Sequence, residues 1–203
     1  MSRKRLTALV AAGVAAVLFV LWLCCLPRDL FPDCYSSCVL DRNGELLGAR
    51  IAADGQWRFP PCDSVNGKYA AAVTEFEDRR FRYHPGVDPL AAGRALVQNI
   101  RNSRTVSGAS TISMQLIRLS RGNRKRNLGE KVLECIMATR LELRYSKDEI
   151  LALYASHAPF GGNVVGIDAA SWRYFGHSSG ELSWGEAATL AVLPNSPSSI
   201  HPG

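Results

Sequence analysis

The sequence predicts a mainly α-helical domain that carries a small N-terminal β region and follows one membrane-spanning helix. Three observations predict this: an apolar run near the N-terminus, a hairpin signature soon after it, and a succession of capped segments with helical spacing along the rest of the chain. The composition agrees. With 203 residues, 47% hydrophobic and 21% charged at a net +6, the chain is neither wholly disordered nor collagen-like nor a multi-span membrane protein. Its length suits one folded domain with appendages.

From Leu6 to Leu26, 19 of 21 residues are apolar, Thr7 and Gly13 being the exceptions. As a helix this run is about 31 Å long, close to the hydrocarbon thickness of a bilayer. Arg3, Lys4 and Arg5 precede it and favour an N-terminus left in the cytoplasm, with everything after Leu26 outside. A cleaved signal peptide fits poorly, because Cys24-Cys25-Leu26-Pro27-Arg28 offers no small-x-small site. Leu21-Trp22-Leu23 before Cys24 likewise lacks the small residues of a lipid-attachment signal. We therefore divide the chain into a basic tail (1–5), an uncleaved anchor (6–26), a β-rich linker (27–64) and a folded domain (65–203). Among six cysteines, Cys24 and Cys25 lie at the membrane end and Cys135 inside a helical pattern. Cys34, Cys38 and Cys62 leave room for one disulfide in an oxidising compartment, with the pairing open. No Cys/His spacing matches a zinc site.

Residues 37–60 read as β. Ser37 to Leu40 leads into Asp41-Arg42-Asn43-Gly44, and Glu45 to Ile51 returns; Asn-Gly is a strong hairpin signal. Helical texture follows. Lys68 to Phe76 is Ala-rich, Asp88-Pro89 reads as an N-cap with Pro at the first helical position, and Ser110 is placed to cap a segment reaching Leu119. Asn127 to Arg144 carries Val132, Ile136, Thr139/Arg140 and Leu143 at helical spacing, with interruptions. Ser146-x-x-Glu149 and Ser183-x-x-Glu186 both fit the capping box.

Four features bear on chemistry. Glu75 to Asp88 sets acids, arginines and His84 at the end of an apolar helix, where a carboxylate against aromatics is suited to act as a general base. By composition alone, a solvated charge-rich helix end fits equally. Val106 to Arg118 is a small-residue loop entering a helix, a natural seat for an anion or simply a capped helix, and not a P-loop. Between Pro89 and Gly129 there are eight basic residues and no acidic one: Arg94, Arg101, Arg104, Arg118, Arg121, Arg124, Lys125 and Arg126. Such a field suits pyrophosphate or anionic lipid headgroups, and an export anchor argues against nucleic acid as the partner. Lys131, Glu134, Ala138 and Leu141 share one helical face by spacing, where a lone carboxylate is often an ion-pair partner.

Taken in order, these segments resemble the peptidoglycan glycosyltransferase domain of class A penicillin-binding proteins, glycosyltransferase family 51. Glu77-Asp78-Arg79-Arg80-Phe81 with His84 and Gly86 resembles the first family motif, and Gly108 to Leu116 the second. Lys131-x-x-Glu134 with Ala138, Leu141 and Glu142 resembles the third. Tyr145 to Leu151, Pro159-Phe160-Gly161-Gly162 and Gly166 resemble the fourth, and Ala191 to Ser198 the fifth. The wording of Ala158 to Gly162 and of Leu190 to Pro194 leans toward the 1C type. The likeness spans roughly residues 65–202.

The resemblance implies a lysozyme-like, mainly helical fold and polymerisation of lipid II into β-1,4-linked glycan at the outer face of a bacterial cytoplasmic membrane. It makes Glu77 the general base and Glu134 the second acidic residue, positioning the pyrophosphate directly or through a divalent cation such as Mg or Mn. Arg118 and Lys131 match the basic pyrophosphate contacts and Arg94 a donor-site arginine, with Ser110, Thr111 and Gln115 along the donor cleft. Asp78, Phe81 and His84 of the first motif join the substrate-binding set. No organic cofactor is implied; the partners are lipid II, the growing glycan chain, membrane lipids and cell-wall synthesis proteins, not nucleic acid.

Three positions depart from the family pattern. Glu130 stands where a basic residue is usual, Tyr154-Ala155-Ser156 lacks the usual Asn, and Asn195-Ser196-Pro197 replaces Gln-Ala-Pro. Neither Ser-x-x-Lys nor Lys-Thr-Gly occurs, so acyl transfer and penicillin binding are not expected of this chain. A lytic glycan-cleaving enzyme of similar fold is the main alternative, yet its sugar leaving group has no need of an acid-free stretch with eight cations. A non-catalytic cell-wall scaffold is favoured only by the three departures.

Overall fold

The N-terminal apolar run forms helix α1 (Arg3–Leu23), none of whose residues is buried, in a computed structural model that describes residues 3–102, 108–124 and 127–195. The helix ends three residues short of the apolar run. Pro27 disfavours helix just before it, and the Leu23 carbonyl turns aside to accept a hydrogen bond from Arg140 Nε at 3.2 Å. Trp22 Nε1 donates to Thr139 Oγ1 at 3.1 Å, and Arg144 donates to the carbonyls of Pro27 and Arg28, both at 2.6 Å. The end of α1 and the segment after it are thereby fastened to a single downstream helix.

The hairpin forms where the sequence places it. Strands β1 (Ser37–Leu40) and β2 (Leu46–Arg50) pair antiparallel, with Ser37 opposite Arg50. The Asp41 carboxylate closes the turn by accepting the N–H groups of Asn43 and Glu45 at 2.7 and 2.9 Å, and Gly44 takes a φ of 88° that glycine adopts without strain. A short strand β3 (Trp57–Arg58) then leaves the hairpin and joins the domain proper. All six cysteines are free thiols.

Helix α2 (Gly67–Glu77) is capped by Asn66, and α3 (Pro89–Asn102) by the Asp88 carboxylate, which accepts the N–H groups of Leu90 and Ala91. Helix α4 (Ile112–Ser120) starts one residue later than the sequence suggests: Thr111, not Ser110, accepts the Met114 N–H. Helix α5 (Leu128–Arg144) is capped by Asn127, and α6 (Lys147–His157) opens on the expected Ser146/Glu149 capping box. Strands β4 (Pro159–Gly161) and β5 (Val164–Val165) follow, and β5 lies between β4 and β3, antiparallel to the first and parallel to the second. Helix α7 (Ile167–Phe175) stops at left-handed Gly176, and α8 (Trp184–Val192) carries the second predicted capping box.

The architecture is mainly helical, as expected. Helix α4 is its centre: every residue from Ile112 to Ile117 is buried, between α5 on one side and α6 on the other. Helix α2 packs against α8. Tyr69, Val73, Phe81, Leu116, Leu141 and Phe160 complete the core, each large side chain contributing about 1.5–3 kcal/mol by leaving water.

One helix turns a different face inward from the one its apolar pattern suggests. The buried residues of α5 are Glu134, Met137, Ala138 and Leu141, whereas Val132, Ile136 and Leu143 are 55%, 43% and 69% exposed. The helix carries two apolar stripes. The outer one adjoins Thr139 and Arg140, which hold the α1 exit.

Gly86 separates the first-motif loop from α3, with φ 95° and its α-carbon so close to α5 that an added Cβ would lie 2.6 Å from the Ala138 carbonyl oxygen. Gly86→Ala is expected to destabilise the fold by about 2–4 kcal/mol, combining strain with a main-chain clash. Gly93→Ala, in open space on α3, is expected to stabilise by about 0.5–1 kcal/mol. Thermal unfolding of both variants beside the wild type checks the contrast.

Candidate active site

The site begins where α2 ends. Asp78 leaves the helix with its N–H still bonded to Thr74 O, and its carboxylate turns inward to 7% exposure. There it meets His84 Nε2 at 2.9 and 3.0 Å and accepts the Ile112 N–H at 3.0 Å. Thr111 Oγ1 donates to Gly86 O at 2.5 Å. These bonds tie the first-motif loop to the N-terminus of α4, so the last residue of α2 is set against the first turn of α4.

That last residue is Glu77. Gln115 Nε2 donates to its Oε2 at 2.7 Å, and Tyr154 Oη donates to Gln115 Oε1 at 3.3 Å. Burial pushes the Glu77 carboxyl above the usual glutamate range; the Gln115 hydrogen bond and the Arg118 charge pull it back in part, and Asp78 pushes it up again. Glu77 faces a cleft of about 710 Å³ that is also lined by Asp78, Arg80, Asp88, Arg94, Ser110 and Thr111. Gln115, Arg118 and Tyr154 line a smaller cavity of about 150 Å³ beside it, closed by Pro159 and Pro194.

The remaining residues singled out by the sequence fall into two groups. Phe81 and His84 are 1% and 4% exposed and pack behind the cleft wall, outside its lining. The Lys147 ammonium sits 4.3 Å from the centre of the Phe81 ring, donates to His84 O at 2.7 Å and pairs with Glu142 at 2.7 Å, while Ser113 also bonds Glu142. Arg94, Arg118 and Lys131 carry no ion pair among the described residues, and Lys131 is exposed on the first turns of α5. Glu134, 4% exposed, lies one turn further along. Arg104, Lys125, Arg126, Val106, Ser107 and the Ser196–Ser198 end of the fifth motif lie outside the described residues.

The three departures have different addresses. Glu130 is held by Arg121 through both carboxylate oxygens, the shortest contact being 2.9 Å, so the acid consumes one of the nearby cations. Ser156 is buried away from the cleft and accepts the Cys62 N–H at 3.1 Å, joining α6 to the segment after β3. Asn195 ends the short 3₁₀ turn Leu193–Asn195.

Glu134 belongs to no group of three or more His, Cys, Asp or Glu side chains among the described residues. A single carboxylate does not cage a resident divalent ion, but it matches the way Mg²⁺ is bound through one or two carboxylates together with substrate phosphates. Two contributors went unnoticed in the sequence. Tyr154 enters the sequence reading only within the Tyr154-Ala155-Ser156 departure, and the Arg80–Asp88 pair at 3.4 Å in the cleft wall gives no signal beyond its charges. As a whole the arrangement offers a half-buried carboxylate to take a proton from a hydroxyl. Ser110, Thr111 and Arg94 line the same cleft as Glu77, and Arg118 lines the smaller cavity.

Comparison with known proteins gives the family. A family model described as Transglycosylase matches residues 43–203. Penicillin-binding protein 1C of Escherichia coli is 44% identical over 81% of the chain and 21% of its own length. Penicillin-binding protein 1A of Aquifex aeolicus is 36% identical over 81% of the chain and 22% of its own length. The biosynthetic peptidoglycan transglycosylase of Pectobacterium atrosepticum is 36% identical over 82% of the chain and 69% of its own length. The chain thus spans about a fifth of the penicillin-binding relatives and over two thirds of the last. With the match covering every residue from the hairpin turn through Glu77, Gln115 and Glu134, the chain belongs to the transglycosylase family.

Proposed function

We propose that the protein is a membrane-anchored peptidoglycan glycosyltransferase that polymerises lipid II and releases undecaprenyl pyrophosphate. The observation that carries this reading is Glu77: a carboxylate raised by burial, hydrogen-bonded at 2.7 Å to Gln115 and facing the large cleft. Glu77 takes the proton from the 4-hydroxyl of the acceptor GlcNAc. The acceptor oxygen attacks the anomeric carbon of the growing chain, the bond from that carbon to pyrophosphate breaks, and the configuration inverts to a β-1,4 link.

The leaving group departs with its negative charge. Arg118, Lys131 and Arg94 are the cations assigned to it; having no ion pair within the described chain, they need not surrender a partner to bind it. Ser110, at the mouth of α4, supplies a hydroxyl contact to the donor, while the Thr111 hydroxyl, bonded to Gly86 O and the Met114 N–H, shapes the cleft wall beside it. Glu134 is the residue that would hold Mg or Mn brought in with the pyrophosphate, the ion adding positive charge against the leaving group. Asp78, Phe81 and His84 act from behind, holding Glu77 in register with α4. Helix α1, long and apolar enough to cross a bilayer, is the anchor, with its basic N-terminal end in the cytoplasm and the catalytic domain on the outer face.

Detergent-solubilised protein incubated with labelled lipid II is expected to make polymer, and Glu77→Gln to lower the rate by about 10²- to 10⁴-fold. Release of soluble fragments from finished peptidoglycan, without polymer from lipid II, would mark the lytic alternative. Because the base must be ionised, the rate is expected to fall as pH drops through the Glu77 pKa, at a higher pH than an ordinary glutamate would give. A rate profile between pH 4 and pH 8 reads this. Glu130→Ala frees the Arg121 guanidinium. It is expected to lower the KM for lipid II about two- to fivefold at unchanged kcat, the effect of roughly 0.5–1 kcal/mol from one exposed cation.

A further inference from the structure

We propose that Tyr154 is a positioning residue for the base: its hydroxyl fixes the Gln115 amide in the one orientation that presents Nε2 to Glu77. The inference deepens the general-base reading of Glu77 and concerns a residue that no motif argument above assigns a role.

An amide side chain is almost symmetric in shape, yet its two ends are opposite in polarity. With Nε2 toward Glu77, Gln115 stabilises the carboxylate that must accept the proton. With Oε1 toward Glu77, it repels the carboxylate and favours the protonated acid, which is useless as a base. Glu77 is only half-buried and changes charge during turnover, so it cannot by itself hold Gln115 one way throughout.

Tyr154 can. It is 1% exposed on α6, and among the described residues Gln115 Oε1, at 3.3 Å, is the acceptor for its hydroxyl proton. Were the amide to turn over, the hydroxyl would have to accept instead of donate, leaving its own proton buried and unsatisfied. Gln115 is itself 8% exposed and held in the packed centre of α4. The orientation is therefore imposed from the core side and delivered at the cleft side. Burial and the nearby Glu77 charge keep the Tyr154 hydroxyl protonated far above working pH, so it is a donor in every state of the reaction.

Among the described residues, the titratable and charged groups that act on Glu77 come from three helices. Asp78 follows it on the chain, Arg118 reaches it from α4, Tyr154 lies behind Gln115 on α6, and Tyr69 sits one face away on α2 with its hydroxyl buried. Neither Asp78 nor Arg118 is hydrogen-bonded to Tyr154, so removing the hydroxyl leaves their contributions in place.

The experiment follows the Glu77 carboxyl by ¹³C NMR in full-length, glutamate-labelled protein in detergent, the resonance being assigned by its loss in Glu77→Gln. Tyr154→Phe, which keeps the ring and removes only the hydroxyl, is expected to move the titration midpoint upward. Gln115→Ala is expected to do the same, and the double variant to move no further than Gln115→Ala alone. In the lipid II assay, Tyr154→Phe is expected to lose about tenfold in kcat at unchanged KM, the loss of one oriented hydrogen bond, with the acid limb of the rate profile shifted upward. An unmoved midpoint in Tyr154→Phe, or shifts that simply add in the double variant, overturns the relay. Should Tyr154→Phe fail to fold, the wild type still decides: the Gln115 side-chain amide protons must titrate with the Glu77 midpoint, and their indifference to it overturns the proposal. These titrations do not depend on turnover. A wild type that makes no polymer counts against the glycosyltransferase reading, and the relay stands or falls on the NMR midpoint.

Discussion

The carboxylate of Asp78 is the constraint on which the site depends. Placed one residue past the last turn of α2, it is bonded at once to the His84 imidazole and to the first N–H of α4, whose own helix cannot satisfy that donor. A buried carboxylate is stable only when so occupied. Its demand for partners draws the loop of residues 79–88 into the protein and clamps two helices of distant sequence end to end. Glu77 has no freedom of its own in this arrangement. It stands where the junction leaves it, with one side against Gln115 and the other open to the cleft.

Around that junction the charges divide into committed and uncommitted ones. Glu142 with Lys147, Asp88 with Arg80 and Glu130 with Arg121 are internal pairs, of which only Asp88 with Arg80 lines the cleft. Arg94, Arg118 and Lys131 are not so paired among the described residues. A cation without an internal counter-charge is available to an arriving anion, most of all when the anion carries its full charge.

Much of the fold could be read from the sequence because its signals are local. The Asp41–Gly44 turn, the Asp88–Pro89 helix start and the two capping boxes each depend on side chains within four residues of the backbone they satisfy. What resisted reading depends on distance in the chain. Helix α5 has two apolar stripes, and nothing within residues 128–144 says that Met137, Ala138 and Leu141 go inward while Val132 and Ile136 stay out; the choice is made by α4 on one side and the anchor exit on the other. The partner of Glu130 is Arg121, the residue that ends α4, nine positions earlier and across the link to α5. Glu77 could be singled out by its motif, but the chain of atoms behind it joins residues 77, 115 and 154, and no spacing rule connects those positions.

The fastening of the anchor to α5 has a mechanical consequence. Thr139, Arg140 and Arg144 grip the segment from Trp22 to Arg28, and the same helix bears Lys131 and Glu134 about two turns toward its N-terminus. A continuous helix transmits displacement along its axis with little loss, so on the proposal that α1 crosses a bilayer, tilt or thinning of that bilayer would be felt at these two side chains as through a short lever. A tether of loose chain would have absorbed such motion. On that proposal, the placement of Lys131 and Glu134 would depend on the surrounding lipid even though no lipid need touch them.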